Sequence, residues 1–364
     1  MIPMLTKSQL PTPALLLDLD KFETNLARMS AHITKSGKKL RPHAKAHKCV
    51  EIARRQIAAG ATGVCVATIS EAELMSKAGI PGLLLTSPVA DPWKIARIVE
   101  TGAMAVVDHE QQVEWYEQAA QAANQKTDAA QGANKKMDLL VDLDVGDHRT
   151  GAASLEQALA IAETIDRSSH LRLRGLQAYS VHGSHGTGSE ERARVSAESF
   201  AKAVAVRDAM AKKGLNTEIL TGGSTGTWNI DTQIPELTEL QAGSYIFMDM
   251  AYRRAGLDFE QALTVLATVI SANHATSVSI DGGTKAFATD RGYGPEPAYL
   301  EGLKYRWGGD EFGYLEPDGV NSLPKLGEKI EMLPPHCDPT VNLYDTIYAC
   351  RGDVVEAAWP LKRM

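Results

Sequence analysis

Cysteine is scarce in this chain: Cys49, Cys65, Cys337 and Cys350 stand among 364 residues, without CxxC spacing and without the density of a disulfide framework. That excludes a stapled secreted scaffold and predicts a reducing cytoplasm. A basic surplus is also missing. Thirty-eight Lys and Arg face 45 Asp and Glu, a formal net charge of -7, which argues against a general nucleic-acid or anionic-membrane surface. No apolar run approaches the roughly 18 residues of a membrane span, and the stretch from Met1 to Lys7 lacks a charged leader followed by an apolar segment. What is there is a 44% hydrophobic chain, long enough for two domains and suited to small-molecule chemistry.

Short apolar runs alternate with helical patterns from residue 14 onward. Ala14 to Asp20 reads as a strand, and Phe22, Leu26, Met29 and Ile33 then recur at helical spacing. Further strands are predicted over 38–45, 63–68, 82–87, 104–108, 137–144, 173–180, 217–222 and 239–247, with amphipathic helices around 70–79, 91–102, 110–126, 154–168 and 191–214. The alternation predicts parallel βα units. Nine strands are one more than a (β/α)8 barrel takes; starting at Lys38 leaves eight. After about residue 255 the pattern turns β-rich, with strands over 263–272, 275–281, 329–333, 346–350 and 354–358, while Gly, Pro and Asp make 290–327 read as loops. The polar stretch 125–136 reads as a solvated bulge.

The segment from Lys38 to Lys48 crowds Arg41, His43, Lys45 and His47 together, with no acid between Leu40 and Cys49. If it is extended, those four share a face. Like charges there repel unless an anion sits among them. A solvated basic run is the simpler account. The His and Ala filler and the stiffening Pro42 favour a lysine kept uncharged for Schiff-base chemistry, because neighbouring cations and partial burial lower an amine's pKa. Lys48 faces the other way and is expected in solvent, so Lys45 is the candidate nucleophile.

Gly222, Gly223, Ser224, Thr225 and Gly226 follow a strand and can turn successive N–H groups and two hydroxyls toward one anion; turns also need glycine for steric reasons alone. Arg149 ends another strand and stays charged in any surroundings, although pairing with Asp144 or Asp147 would account for it equally. His182 and His185 have the side-chain type for a base near neutrality. His336 and Asp338 are two apart, so on extended chain both project to one side and can reach a single metal.

Arg41-Pro42-His43-Ala44-Lys45-Ala46-His47-Lys48 resembles the lysine segment of the D-threonine aldolase and D-serine dehydratase family, pyridoxal 5'-phosphate (PLP) enzymes of the alanine racemase fold; the resemblance runs from Thr12 to Thr340. It implies a PLP-binding barrel over 21–250 and a β-rich domain, formed by 1–20 and 251–364, that carries a metal site. The surplus first strand would join that domain. It implies Lys45 as the PLP lysine with His43 beside it, the Gly222–Gly226 loop and Tyr245 on the phosphate, and Arg149 and Tyr179 on the cofactor. Ser224 stands where the family usually has glycine. His185 is implied as the base for the substrate hydroxyl, with His182 competing because Val181-His182 interrupts the usual run. His336-x-Asp338 is similar to the aldolases' site for manganese, with magnesium, cobalt or zinc as alternatives, rather than the His-x-Cys of the dehydratases. Gly309-Asp310-Glu311-Phe312-Gly313 departs from the family's Asp-Glu-His-Gly: Phe312 replaces histidine, and Asp310 would still orient a metal-bound water. The expected activity is retro-aldol cleavage of a β-hydroxy-D-amino acid, D-threonine first, by a cytoplasmic homodimer that needs neither nucleic acid nor membrane. Alternatives are a D-serine or 3-hydroxyaspartate dehydratase, a 3-hydroxyaspartate aldolase, and a non-catalytic PLP carrier.

Overall fold

Strand β1 (Ala14–Asp18) is apolar on both faces and stands apart from the eight strands that follow it. Those are β2 (Lys39–Leu40), β3 (Val64–Val66), β4 (Leu83–Leu85), β5 (Met104–Val107), β6 (Met137–Leu143), β7 (Leu171–Ala178), β8 (Ile219–Gly222) and β9 (Glu239–Leu240). They form one parallel sheet in the order β3 to β9, with β2 paired to β9. A parallel bridge between His43 and Cys65, beyond the end of β2, joins the first of these strands to the second and completes the (β/α)8 ring. The structure is a computed structural model and describes residues 5–128, 135–185, 188–319 and 322–363.

The helices between these strands start where the sequence signals them. Thr68 accepts the Glu71 N–H ahead of Ile69–Lys77. Asp91 caps Pro92–Thr101 through the N–H groups of Trp93 and Lys94, and Gly102 ends that helix at φ 70°. Their apolar faces cover the sheet, so Ile95, Ile98, Ile161 and Ile165 are fully buried against strand residues such as Val66, Val107 and Leu139.

By contact density the chain divides into two units: residues 29–45 with 50–243, which hold the barrel sheet, and residues 1–28 and 46–49 with 244–364. The second unit is built on β10 (Leu263–His274), β11 (Ser277–Ile280), β12 (Glu296–Pro297), β13 (Leu303–Trp307), β14 (Gly313–Pro317), β15 (Lys329–Leu333), β16 (Thr346–Arg351) and β17 (Val354–Pro360). Here β1 lies between antiparallel β10 and parallel β16, which is where the surplus strand belongs.

Several expectations need correction. The segment 38–45 is not one strand: Lys39 and Leu40 pair with β9, His43 makes a separate bridge to Cys65, and Ala44–Ala46 is a 3-10 turn, so the alternation that put four cations on one face fails. Arg41 is instead buried in a bidentate pair with Glu239, at 2.8 Å for both contacts. The compensating acid comes from a strand 198 residues away, which no local window reveals. Lys48 is not in solvent either. It is 3% exposed, adopts φ 49°, and donates to Asn342 Oδ1 at 2.7 Å. The strand predicted over 239–247 pairs only at Glu239–Leu240, and Ser244–Ile246 is a 3-10 turn. The helix Glu110–Asp128 extends through part of the expected bulge at 125–136, of which 129–134 lies outside the described residues. The stretch 290–327, read as loops, contains β12, β13 and β14, whose cross-strand pairs outweigh its glycines.

Candidate active site

The C-terminal ends of the barrel strands bring Lys45, Arg149 and Tyr179 around a cavity of about 270 Å³, lined also by His43, Thr86 and Gln177. The Lys45 Nζ lies 5.7 Å from the centroid of the Tyr179 ring, and the Arg149 guanidinium carbon lies 4.9 Å from the same centroid. An amine and a guanidinium therefore border one planar aromatic surface. Asp144 and Asp147 do not draw Arg149 away: Asp144 takes the imidazole of His148 at 2.7 Å, and Asp147 takes that of His182 at 2.7 Å. His43 is buried with an assignable tautomer. Its Nδ1 accepts the Lys45 N–H at 3.3 Å, so Nε2 carries the proton and donates to the Thr86 hydroxyl at 2.9 Å.

Beneath these groups runs a polar floor that sequence reading missed. Gln177 donates to the Thr86 carbonyl at 2.9 Å and to Asp142 at 2.8 Å, while Gln241 donates to Gln177 at 3.1 Å and to Thr221 at 3.1 Å. The available signal was a polar side chain closing an apolar strand at the barrel's C-terminal end, as Gln177 does in β7. Burial pushes the Asp142 carboxyl up to about 6, against hydrogen bonds from Gln177 and Thr150.

The glycine-rich loop leaves β8 beside this floor, and the Gln241 N–H donates to the Gly222 carbonyl at 2.8 Å. Gly223 adopts φ 73°, and a Cβ at Gly226 would lie 1.8 Å from the Ser184 carbonyl oxygen, so neither position admits a side chain. Ser224, where glycine was expected, is extended at φ -149° and tolerates its Cβ. Ser224 and Thr225 are buried and do not line the cavity. Buried Asp231 anchors the loop by accepting the hydroxyls of Thr227 and Ser196. Burial pushes its carboxyl from the ordinary 3.8 up to about 6, partly offset by those hydroxyls. A raised carboxyl stabilises the fold fully below its unfolded pKa, and that contribution is lost as pH rises through 6. The interval from 3.8 to about 6 is worth about 3 kcal/mol. Denaturant titrations of wild type and Asp231→Asn at pH 4 and pH 7 are therefore expected to differ. Because the unfolded carboxyl is already about half ionised at pH 4, wild type should lose about 2 kcal/mol relative to the variant on going to pH 7; a pH-independent difference would refute the assignment.

His182 is exposed, with Nδ1 held by Asp147. Burial raises the Asp147 carboxyl, but His182, the Val181 N–H and the Ser180 hydroxyl together hold it below its usual value. His185 ends the short helix Val181–His185, and its side chain lies outside the described residues.

In the other unit, Tyr245 is fully buried, with its ring 5.8 Å from that of Phe259. His336 is the extended N-cap of the helix Cys337–Val341, so Asp338 sits in a first helical turn and not on extended chain. The period-two argument for the pair therefore does not apply. Asp338 accepts from Ser244 Oγ at 3.2 Å, and His336 Nδ1 meets Asp290 at 2.7 Å. Asp310 accepts from Thr284 at 3.3 Å in the β13–β14 turn, where Phe312 is 45% exposed. Among the described residues, no three His, Cys, Asp or Glu side chains gather as a metal cluster. No described helix is long and apolar enough to cross a membrane.

Comparison with known proteins agrees with the architecture. The pattern described as "Alanine racemase, N-terminal domain" matches residues 17–251, and "Putative serine dehydratase domain" matches 262–350. A D-threonine aldolase of Arthrobacter sp is 37% identical over 97% of this chain and 93% of its own length. A 3-hydroxy-D-aspartate aldolase of Paracoccus denitrificans (strain Pd 1222) is 32% identical over 99% and 94%. The crystal structure of D-threonine aldolase from Filomicrobium marinum superposes with a TM-score of 0.93 at 34% identity, covering 98% of this chain and 96% of that one. Barrel, appended β-rich unit and near-full-length similarity together mean that the chain belongs to the alanine racemase N-terminal-domain family, among its lyases of the D-threonine aldolase kind.

Proposed function

We propose that the protein cleaves a β-hydroxy-D-amino acid by a retro-aldol reaction, with PLP and a divalent metal ion as cofactors and D-threonine as first substrate. The observation that carries the reading is Lys45, a primary amine opening on a cavity bounded by the Tyr179 ring and the Arg149 guanidinium. These groups fit PLP: an amine for its aldehyde, a flat aromatic wall for its ring, and a fixed cation for an anionic oxygen. The loop Gly222–Gly226 is the phosphate site in this reading, because its glycines, packed too closely for side chains, leave backbone N–H groups as the donors.

His336 and Asp338 offer an imidazole and a carboxylate, a donor set that suits manganese and also magnesium, cobalt or zinc. With two protein donors, the remaining positions would fall to water and substrate oxygens. Bound PLP supplies an electron sink for the pair released at Cα, and a bound divalent ion supplies a Lewis acid for the β-hydroxyl.

The chain's own residues do the rest. His43 keeps its proton on Nε2 through Thr86, so it stands beside Lys45 as a fixed neutral neighbour. The substrate's β-hydroxyl proton goes to His185, or to His182, whose Nδ1 is tied to Asp147 so that Nε2 is the accepting atom. The Cα–Cβ bond then breaks, the former hydroxyl carbon leaves as acetaldehyde, and Cα takes a proton to give glycine. The same reading makes the protein a cytoplasmic homodimer acting on free amino acids.

A dehydratase would use the same groups and differ only in product. Incubation with PLP, manganese and either D-threonine or D-serine is expected to give acetaldehyde and glycine from the first, little pyruvate from the second, and neither after chelation. Pyruvate as the main product would sink the aldolase reading.

A further inference from the structure

Sequence reading assigned no role to Asp290. Its Oδ2 lies 2.7 Å from Nδ1 of His336, whose side chain is only 18% exposed. A carboxylate only accepts, so Nδ1 carries the proton and donates it. In the neutral ring the second lone pair then belongs to Nε2. That matches the arrangement in which a metal-binding imidazole has its other nitrogen held by an outer carboxylate, which sets ring orientation and raises ligand basicity.

The pair has charged neighbours. Arg291 Nε lies 3.6 Å from the same Asp290 oxygen. Asp290 itself is 45% exposed, whereas Asp249 is a buried carboxylate near His336 that accepts the backbone N–H groups of Tyr252 and Cys337. Asp338 bonds with Ser244 and Cys337. Asp290 holds the His336 ring through Nδ1. The pair spans 46 residues, too far for local chain geometry to produce it.

We propose that Asp290 is a positioning residue that fixes His336 in the Nε2-ligating form for a divalent cation. This rests on the metal-dependent reading above and deepens it.

The test is calorimetric titration of MnCl2 into the chelator-stripped, PLP-loaded full-length protein, comparing wild type, Asp290→Ala, Asp290→Asn and His336→Ala. Asp290→Ala is expected to weaken manganese binding about 10- to 100-fold, with the visible PLP absorbance unchanged. Asp290→Asn keeps an acceptor oxygen for the Nδ1–H and should recover most of the affinity, a rescue that general loss of structure would not show. If wild type and Asp290→Ala bind manganese equally while His336→Ala does not, the positioning role is overturned and the metal reading stands. If wild type binds no better than His336→Ala, the metal reading itself falls, and this inference with it.

Discussion

Lys45→Ala is expected to lower turnover by at least about three orders of magnitude and to abolish the visible absorbance of bound PLP. Among the residues lining the cavity, Lys45 is the one primary amine; the Arg149 guanidinium stays protonated and cannot serve as a nucleophile. The side chain ends against the Tyr179 ring and belongs to no ion pair that packing depends on, so its truncation should leave the fold intact. Lys45→Arg separates bulk from chemistry: it keeps a long nitrogen-bearing side chain over the ring but no primary amine, and should be as inactive as the alanine variant. Absorbance and turnover that survive in Lys45→Ala would remove the PLP-lysine assignment.

His336→Ala is expected to show the opposite split, with PLP absorbance retained and turnover reduced by about two orders of magnitude or more. On the proposed metal-dependent reading, loss of one of two protein donors would leave a carboxylate alone to hold the ion, and the β-hydroxyl would lose its Lewis acid. A 100-fold loss corresponds to about 2.7 kcal/mol of transition-state stabilisation. Added manganese should restore little. Unchanged turnover at saturating D-threonine would exclude the metal from the reaction, whereas loss of PLP absorbance together with turnover would mean that His336 supports the fold.

The two experiments address groups that were unequally legible in the sequence. The barrel was legible because each βα unit carries its own period: alternating apolar strands, caps such as Asp91 ahead of Pro92, and glycine stops such as Gly102 are all local. Lys45 stood out through the crowded basic segment around it, the glycine loop through its place after a strand, and Arg149 and Tyr179 through the family resemblance; the structure places Lys45, Arg149 and Tyr179 around one cavity. The strand from Lys38 to Lys45 was overcalled because apolar spacing does not reveal where a ring of strands bridges and turns, as it does at His43 and Cys65. The loops assigned to 290–327 were wrong for a related reason: antiparallel strands such as β13 and β14 are stabilised by partners across the sheet, and glycine content says nothing of those partners.

The order of residues by itself determined the alternation of strands and helices, the change to β-rich structure near residue 255, and which side chains are chemically able to act. Tertiary structure alone decided which of those side chains meet. It set Arg41 against Glu239, buried Lys48 on Asn342, tied Asp231 beneath the glycine loop and put Asp290 on His336. Each pairing joins groups brought together by strand order or chain return, and a charge is buried only where its partner is also present. Periodicity encodes which face of an element is covered, not which distant residue covers it.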